Sequence, residues 1–100
     1  MIKNGIYAAS LSILNEDMSL NTHATIEHAE SAIKNGLHGV FFFGSTGQSQ
    51  LISISEKKDL ISKTATSKLR DKFYIGTGIN SLNDNLDLIR YSMEYGFQTF

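Results

Sequence analysis

Apolar positions along this chain switch between short continuous runs and recurrences at helical spacing, and that switching predicts an order of elements. Ile6 to Ser12 is apolar and rich in small residues, then gives way to Asn15-Glu16-Asp17, whose side chains favour turns over ladders. This predicts a strand followed by a loop. From Thr22 to Asn35 the residues Ile26, Ala29 and Ile33 recur at helical spacing, Asn21 or Thr22 can cap the start, and Gly36 suits the left-handed position past the end. Leu37 to Phe43 then reads as a strand apolar on both sides, as expected where helices cover both faces of a parallel sheet or ring a barrel.

The second half repeats the pattern. Ser53-Ile54-Ser55-Glu56 is a capping box, in which the serine bonds the N3 amide and the glutamate reaches back to the cap amide, and Leu60, Ile61, Ala65 and Leu69 continue the helix's apolar face. Phe73 to Ile79 predicts a third strand. Ser81-Leu82-Asn83-Asp84 predicts a second capping box, opening a helix with the apolar stripe Leu82, Leu86, Ile89 and Met93 and ended by Gly96. Phe97 to Phe100 reads as the start of a fourth strand.

The resulting β-α-β-α-β-α-β order, with a repeat of roughly 30 residues, is that of successive βαβ units and implies an α/β fold with a parallel sheet and right-handed crossovers. A closed (β/α)8 barrel takes about 250 residues. If this is such a barrel, residues 1–100 are expected to be the N-terminal part of its single domain, about three βα units plus the start of strand 4.

Composition narrows the partners. The chain has 100 residues, 41% of them hydrophobic, and a formal net charge of −1 with Lys and Arg scattered among acids, so no basic stripe offers a nucleic-acid footprint. A small molecule is the expected partner. Cysteine is absent, which excludes disulfides and cysteine-based metal sites, and no metal or cofactor is expected. The N-terminus lacks the pattern of a secretory signal, so a cytoplasmic location is the default expectation. The apolar run from Gly39 to Phe43 is far shorter than the ~20 residues of a bilayer-spanning helix, so no membrane partner is expected.

Gly44-Ser45-Thr46-Gly47 falls between the second strand and the second helix, at the strand end where ligands sit in parallel α/β folds. Two glycines allow close backbone approach, while two hydroxyls and successive amides offer donors to a carboxylate or phosphate without any cationic side chain. The same residues could simply make the turn and satisfy local amides. The loop is not a phosphate-binding P-loop, because the Lys-Ser or Lys-Thr pair is missing, and Gly76-Thr77-Gly78 has Ser81 where a dinucleotide fingerprint has its third glycine. Gly76-Thr77-Gly78-Ile79-Asn80 also lies at a strand end and either shapes the same mouth, with Gly78 and Asn80 in support, or serves close backbone packing.

Other candidates read as structural. His23, Glu27 and His28 do not form the His-Glu-x-x-His arrangement and predict a solvated helix face. His38 lies early in its strand, away from the mouth, and reads as a partly buried packing or hydrogen-bonded residue. Tyr7, Tyr74, Tyr91 and Tyr95 read as packing residues. Lys34, Lys57, Lys58, Lys63 and Lys68 fall on helices and Lys3 and Lys72 precede strands, so no desolvated nucleophilic amine is expected in this stretch.

The run Gly39-Val40-Phe41-Phe42-Phe43-Gly44-Ser45-Thr46-Gly47-Gln48-Ser49, followed by Leu51-Ile52-Ser53 and Glu56, resembles the signature of the dihydrodipicolinate synthase and N-acetylneuraminate lyase family. Gly76-Thr77-Gly78-Ile79-Asn80 is similar to that family's next strand-end motif. The resemblance implies a (β/α)8 TIM barrel and a class I aldolase-type reaction, in which a lysine amine condenses with pyruvate or another 2-oxo acid and the carbanion is stabilised as an enamine. It further implies that Thr46 and the loop amides, Gly47 among them, hold the 2-oxo acid's carboxylate. Ser45, a substrate contact too, matches the hydroxyl that joins tyrosines in a proton relay, with Gly44 and Gln48 supporting the loop. The Schiff-base lysine and catalytic tyrosine of the family occur on later strands, so residues 1–100 alone are expected to be inactive. The implied partners are a 2-oxo acid, an aldehyde and further copies of the chain in a tetramer or dimer.

Three positions depart from the family pattern. Gln48 stands where Glu is usual, Ser12-Ile13 replaces a Thr-Pro pair, and Ser45 stands where synthases usually have Thr. Ser45 leans toward the sialic acid lyase branch. Ile54 and Lys57 occupy positions where some synthases carry histidines of a lysine feedback site, so inhibition by lysine is not expected. The alternatives are dihydrodipicolinate synthase itself, condensing pyruvate with aspartate semialdehyde, and a non-catalytic carboxylate-binding member of the family.

Overall fold

A computed structural model describes residues 5–44, 51–76 and 81–97. Strand β1 (Tyr7–Ala9) leads to helix α1 (Thr22–Lys34), strand β2 (Gly39–Phe42), helix α2 (Ile54–Thr64), a 3-10 turn over Arg70–Lys72, strand β3 (Phe73–Ile75) and helix α3 (Leu82–Glu94). The strands form one parallel sheet in the order β1-β2-β3, with Ala8 opposite Val40 and Phe41 opposite Tyr74. The expected order of strands and helices is therefore present as far as α3. Strands β1 and β2 are shorter than the apolar runs predicted, and residues 77–79 of the third run lie outside the described residues. Residues 98–100, where a fourth strand was expected to continue, lie outside the described residues.

Register divides the sheet into two unlike faces. Val40, Phe42, Phe73 and Ile75 project to one side and are buried in a single core with Ala29 and Ile33 of α1, Leu60 and Ile61 of α2, and Leu88 of α3. Each of the large aliphatic side chains in that core contributes about 2 kcal/mol by leaving water. Tyr7, Phe41 and Tyr74 project to the other side and are only half-buried. Their rings contact one another, 5.7 Å apart between Tyr7 and Tyr74 and 5.0 Å between Phe41 and Tyr74. Among the described residues the helices cover one face alone, which agrees with the second of the two expected arrangements, helices ringing a barrel, rather than with cover on both faces.

Helix termini follow the sequence closely. Asn21 caps α1 by accepting from the Ala24 amide, and Gly36 and Gly96, just past α1 and α3, take φ values of 109° and 90°. Those are conformations in which a side chain would be strained. Ser53 and Glu56 form the reciprocal capping box of α2. At α3 only half the box exists: Ser81 accepts from the Asp84 amide, and no return bond is formed by the shorter aspartate.

Two apolar faces differ from expectation. Helix α2 ends at Thr64 with Ala65 as its cap, so Leu69 packs against the core from the segment beyond the helix. On α3 the predicted stripe points largely outward. Leu82, Leu86 and Met93 are exposed, and Leu88 and Ser92, about a quarter of a turn round the helix, are fully buried instead. Ser92 is small enough to let α3 approach its neighbours, and its hydroxyl is satisfied by donating to the Leu88 carbonyl at 2.8 Å.

Candidate functional site at the carboxyl ends of the strands

The carboxyl ends of all three strands lie along one rim. The Ser10 amide donates to the Phe41 carbonyl at 2.9 Å and the Gly76 amide to the Phe42 carbonyl at 2.8 Å, so the residues leaving β1 and β3 are both fastened to the end of β2. Gly76 has to be glycine for that approach. A Cβ there would sit 2.8 Å from the Phe42 carbonyl oxygen and 3.0 Å from that of Phe43, both backbone atoms that cannot move aside cheaply.

Gly44 lies on the same rim, two residues past the end of β2. Among the described residues a Cβ at Gly44 would meet nothing within 4 Å, so close packing does not account for this glycine. The left-handed backbone at this strand end belongs to Phe43, with φ 62°. For an L side chain that region costs about 1–2 kcal/mol. Packing holds Phe43 there: it is buried, with its ring 6.2 Å from that of Phe42. Ser45, Thr46, Gly47, Gln48, Gly78 and Asn80, the remaining residues singled out in the sequence, lie outside the described residues.

Sequence reasoning missed Lys57. Its place on a helix suggested a solvated amine, but α2 begins so close to the end of β2 that Lys57 is 1% exposed, with Nζ 5.6 Å from the centroid of the Phe43 ring. Burial lowers its pKa below the ordinary lysine value. A desolvated amine is therefore present near the rim, contrary to expectation. It is packed between α2 and the end of β2. The signal available in the sequence was its spacing: Lys57 stands three and four residues before Leu60 and Ile61, on the buried stripe.

Glu56, one residue earlier, joins two connections at this rim. Its Oε1 accepts from the Ser53 amide at 3.1 Å and the Ser53 hydroxyl at 2.8 Å, and its Oε2 accepts from the Leu20 amide in the connection between β1 and α1. These amide and hydroxyl donors hold the carboxyl group below its ordinary pKa, the Leu20 amide contributing most.

The residues read as structural behave accordingly. His23 pairs with Glu27 at 3.0 Å on an exposed face of α1, and His28 is exposed. His38 accepts the Ile6 amide on Nδ1 at 3.0 Å at the opposite end of the sheet, though it is more exposed than expected. Burial, then the neighbouring Tyr7, raises the pKa of Tyr74. The rings of Tyr91 on α3 and Tyr95 at its C-cap lie 5.1 Å apart, tilted by 48°. Among the described residues no cluster of His, Asp or Glu could hold a metal ion, and no helix is long and apolar enough to cross a membrane.

Comparison with known proteins bears on this rim. The profile of the Dihydrodipicolinate synthetase family matches residues 3–100. An N-acetylneuraminate lyase of Rhizobium meliloti is 30% identical over 95 residues, covering 94% of this chain and 32% of the lyase. The crystal structure of dihydrodipicolinate synthase from Agrobacterium tumefaciens superposes with a TM-score of 0.84 at 25% identity, covering 95% of this chain and 33% of the synthase. YagE, a prophage protein of the dihydrodipicolinic acid synthase family from E. coli K12 crystallised with pyruvate, superposes at 0.83 with 24% identity, covering 97% of this chain and 33% of YagE. The chain spans about a third of the length of the curated relatives it matches.

Proposed function

The chain belongs to the dihydrodipicolinate synthetase family, and from that premise we propose that the whole protein is a 2-oxo acid-dependent carbon–carbon lyase or aldolase acting through a lysine Schiff base. The fold is the N-terminal portion of that family's TIM barrel. In this reading the rim at Ser10, Gly44 and Gly76 is one side of the active-site mouth, and Gly44-Ser45-Thr46-Gly47 seats the carboxylate of pyruvate or a related acid. The observation that carries the reading is the family match over nearly the whole chain, with both glycine-containing motifs leaving strands at the same end of one parallel sheet.

The chemistry divides between what this stretch supplies and what it does not. A lysine elsewhere in the whole protein attacks the C2 carbonyl of the 2-oxo acid, water leaves, and an imine forms. Loss of a proton from C3 gives the enamine, which adds to an aldehyde; the cleavage direction runs the same steps in reverse, and hydrolysis frees the amine. Throughout, the Thr46 hydroxyl and the loop amides hold the carboxylate and fix the reacting carbon. Ser45, able both to donate and to accept, passes a proton. The burial of Lys57 beside Phe43 speaks against it as the Schiff-base amine.

Borohydride treatment of the whole protein in the presence of pyruvate, followed by mass spectrometry, is expected to trap a reduced adduct on a single lysine other than Lys57. Absence of any adduct would sink the proposal and favour a carboxylate-binding protein without turnover. Within the class, Ser45 favours a sugar-derived acceptor, and the alternative is aspartate semialdehyde, as in dihydrodipicolinate synthase. Turnover measured with both aldehydes decides between them.

A further inference from the structure

The connection from β1 to α1 is a folded piece of structure. Asp17 accepts from the Ser19 amide at 3.0 Å and from its hydroxyl, the Asn15 amide donates to the Ser19 carbonyl at 2.8 Å, and Leu14 and Leu20 form an antiparallel bridge. Its base is fastened by the Asn21 amide on the Ile13 carbonyl at 2.7 Å and by the Ile13 amide on the Thr25 hydroxyl at 3.0 Å. It leaves the sheet at Ser10, on the same rim as Gly44 and Gly76. Held by these bonds, it forms a wall at that rim.

The wall is tied to α2 through the Leu20 amide and Glu56. A capping box requires only one acceptor oxygen at N3, and glutamine serves there as well as glutamate. Glu56 uses both oxygens, one for its own cap and one for the wall. A glutamine would present its single carbonyl oxygen to Ser53 or to Leu20, and its NH2 group would face the other N–H, donor against donor. The carboxylate is thus needed for the tie but not for the cap.

We propose that Glu56 is a positioning residue for substrate binding: by joining the β1–α1 wall to the first turn of α2, it fixes the helix that follows the carboxylate loop. The inference rests on the functional reading above. A neighbouring bond joins α2 to the first residue of α1, from the Thr22 hydroxyl to Asp59 Oδ2 at 2.8 Å, about one turn further along α2 and away from the cap, and serves as the internal control.

The test uses the whole protein with Glu56→Gln and Thr22→Val. In Glu56→Gln the Leu20 amide is expected to exchange with solvent about tenfold faster, the loss of one charge-assisted hydrogen bond. The KM for pyruvate is expected to rise about fivefold, the low end of coupling between separate sites, with kcat changed less than KM. Thr22→Val is expected to lower stability without moving KM. Unchanged exchange at Leu20 would overturn the tie. Faster exchange with unchanged KM, or an equal KM shift in Thr22→Val, would reduce Glu56 to a structural role and overturn the proposal. Failure of the wild type to form any pyruvate adduct would overturn the functional reading and the substrate role with it, while the Leu20 exchange would still report on the tie.

Discussion

The Lys57 ammonium sits 5.6 Å from the centroid of the Phe43 ring, and both residues are sealed from solvent between α2 and the end of β2. A buried lysine contributes through its aliphatic stem, through the cation over the ring and through its polar contacts, against the cost of desolvating the charge. Lys57→Met keeps the stem's volume and removes the desolvated charge, so it is expected to alter stability by less than about 1.5 kcal/mol. Lys57→Ala loses the stem as well and is expected to cost about 2–3 kcal/mol. Denaturant unfolding of the whole protein separates the two; equal losses would mean that the charge matters more than the packing.

Phe43 carries both packing and strain, and a pair of substitutions separates them. At an ordinary position glycine is less stable than alanine by about 0.5–1 kcal/mol. At Phe43, where φ is 62°, alanine retains the strain and glycine relieves it. Both lose the buried ring. Phe43→Gly is therefore expected to be more stable than Phe43→Ala by about 1 kcal/mol, reversing the usual order. The ordinary ranking in equilibrium unfolding would show that the left-handed backbone at this strand end carries no strain.

The order of elements was legible because each carries a local signal: apolar runs for strands, three-four spacing for α1 and α2, Asn21 and Ser53 as caps, Gly36 and Gly96 past helix ends. What local signals do not report is which way an element faces once packed. On α3 two stripes compete, Leu82-Leu86-Ile89-Met93 and Leu88-Ser92, and the more apolar one lost because the smaller Ser92 permits closer approach to the core. Lys57 was read as a helix lysine and Glu56 as the capping-box partner of Ser53, yet one is buried by its position on the helix and the other also bonds a residue 36 positions away. Contacts of that range depend on the folded sheet. The rim itself was legible, since glycine motifs after apolar runs mark strand ends, but the strain at Phe43 was not, because nothing in a bulky phenylalanine announces a positive φ.

Acid sensitivity follows from Glu56. Its carboxyl is held below its ordinary value of 4.5, chiefly by the Leu20 amide and then by Ser53. The folded state therefore binds fewer protons than the unfolded state as pH falls past that value. The stabilisation is fully present above about 4.5 and is lost as pH drops through the lower folded pKa. Asp17, lowered by its bonds to Ser19, acts in the same direction. Glu56→Gln is expected to flatten the acid limb of the stability curve while leaving the slope from neutral pH down to pH 5 or so unchanged. An acid limb identical to wild type would mean that Glu56 titrates alike in the folded and unfolded states.

Ser92 reverses what composition alone would suggest for a helix. Replacing a helical serine with leucine raises intrinsic propensity, yet Ser92 is fully buried beside Leu88. Ser92→Leu adds a bulky side chain where the close approach of α3 leaves no room, and it is expected to cost about 1–3 kcal/mol. Ser92→Ala loses only a hydroxyl bonded within its own helix and is expected to be nearly neutral. Thermal or denaturant melts of the two variants check the orientation of α3 directly; a stabilising leucine would place the Leu82-Leu86-Met93 stripe inward instead.

The division of labour proposed for the carboxylate loop makes a kinetic prediction. If Thr46 holds the 2-oxo acid, its hydroxyl contributes in the ground state and the transition state alike, so Thr46→Val should raise KM for pyruvate with a smaller effect on kcat. If Ser45 relays a proton, its contribution arises only while that proton moves, and Ser45→Ala should lower kcat with little change in KM. General acid–base steps contribute about 10²–10⁴-fold, which sets the scale of the Ser45→Ala loss. Steady-state kinetics of the whole protein with pyruvate and its accepted aldehyde distinguish the two. A KM effect at Ser45 together with a kcat effect at Thr46 would exchange the roles of the two hydroxyls.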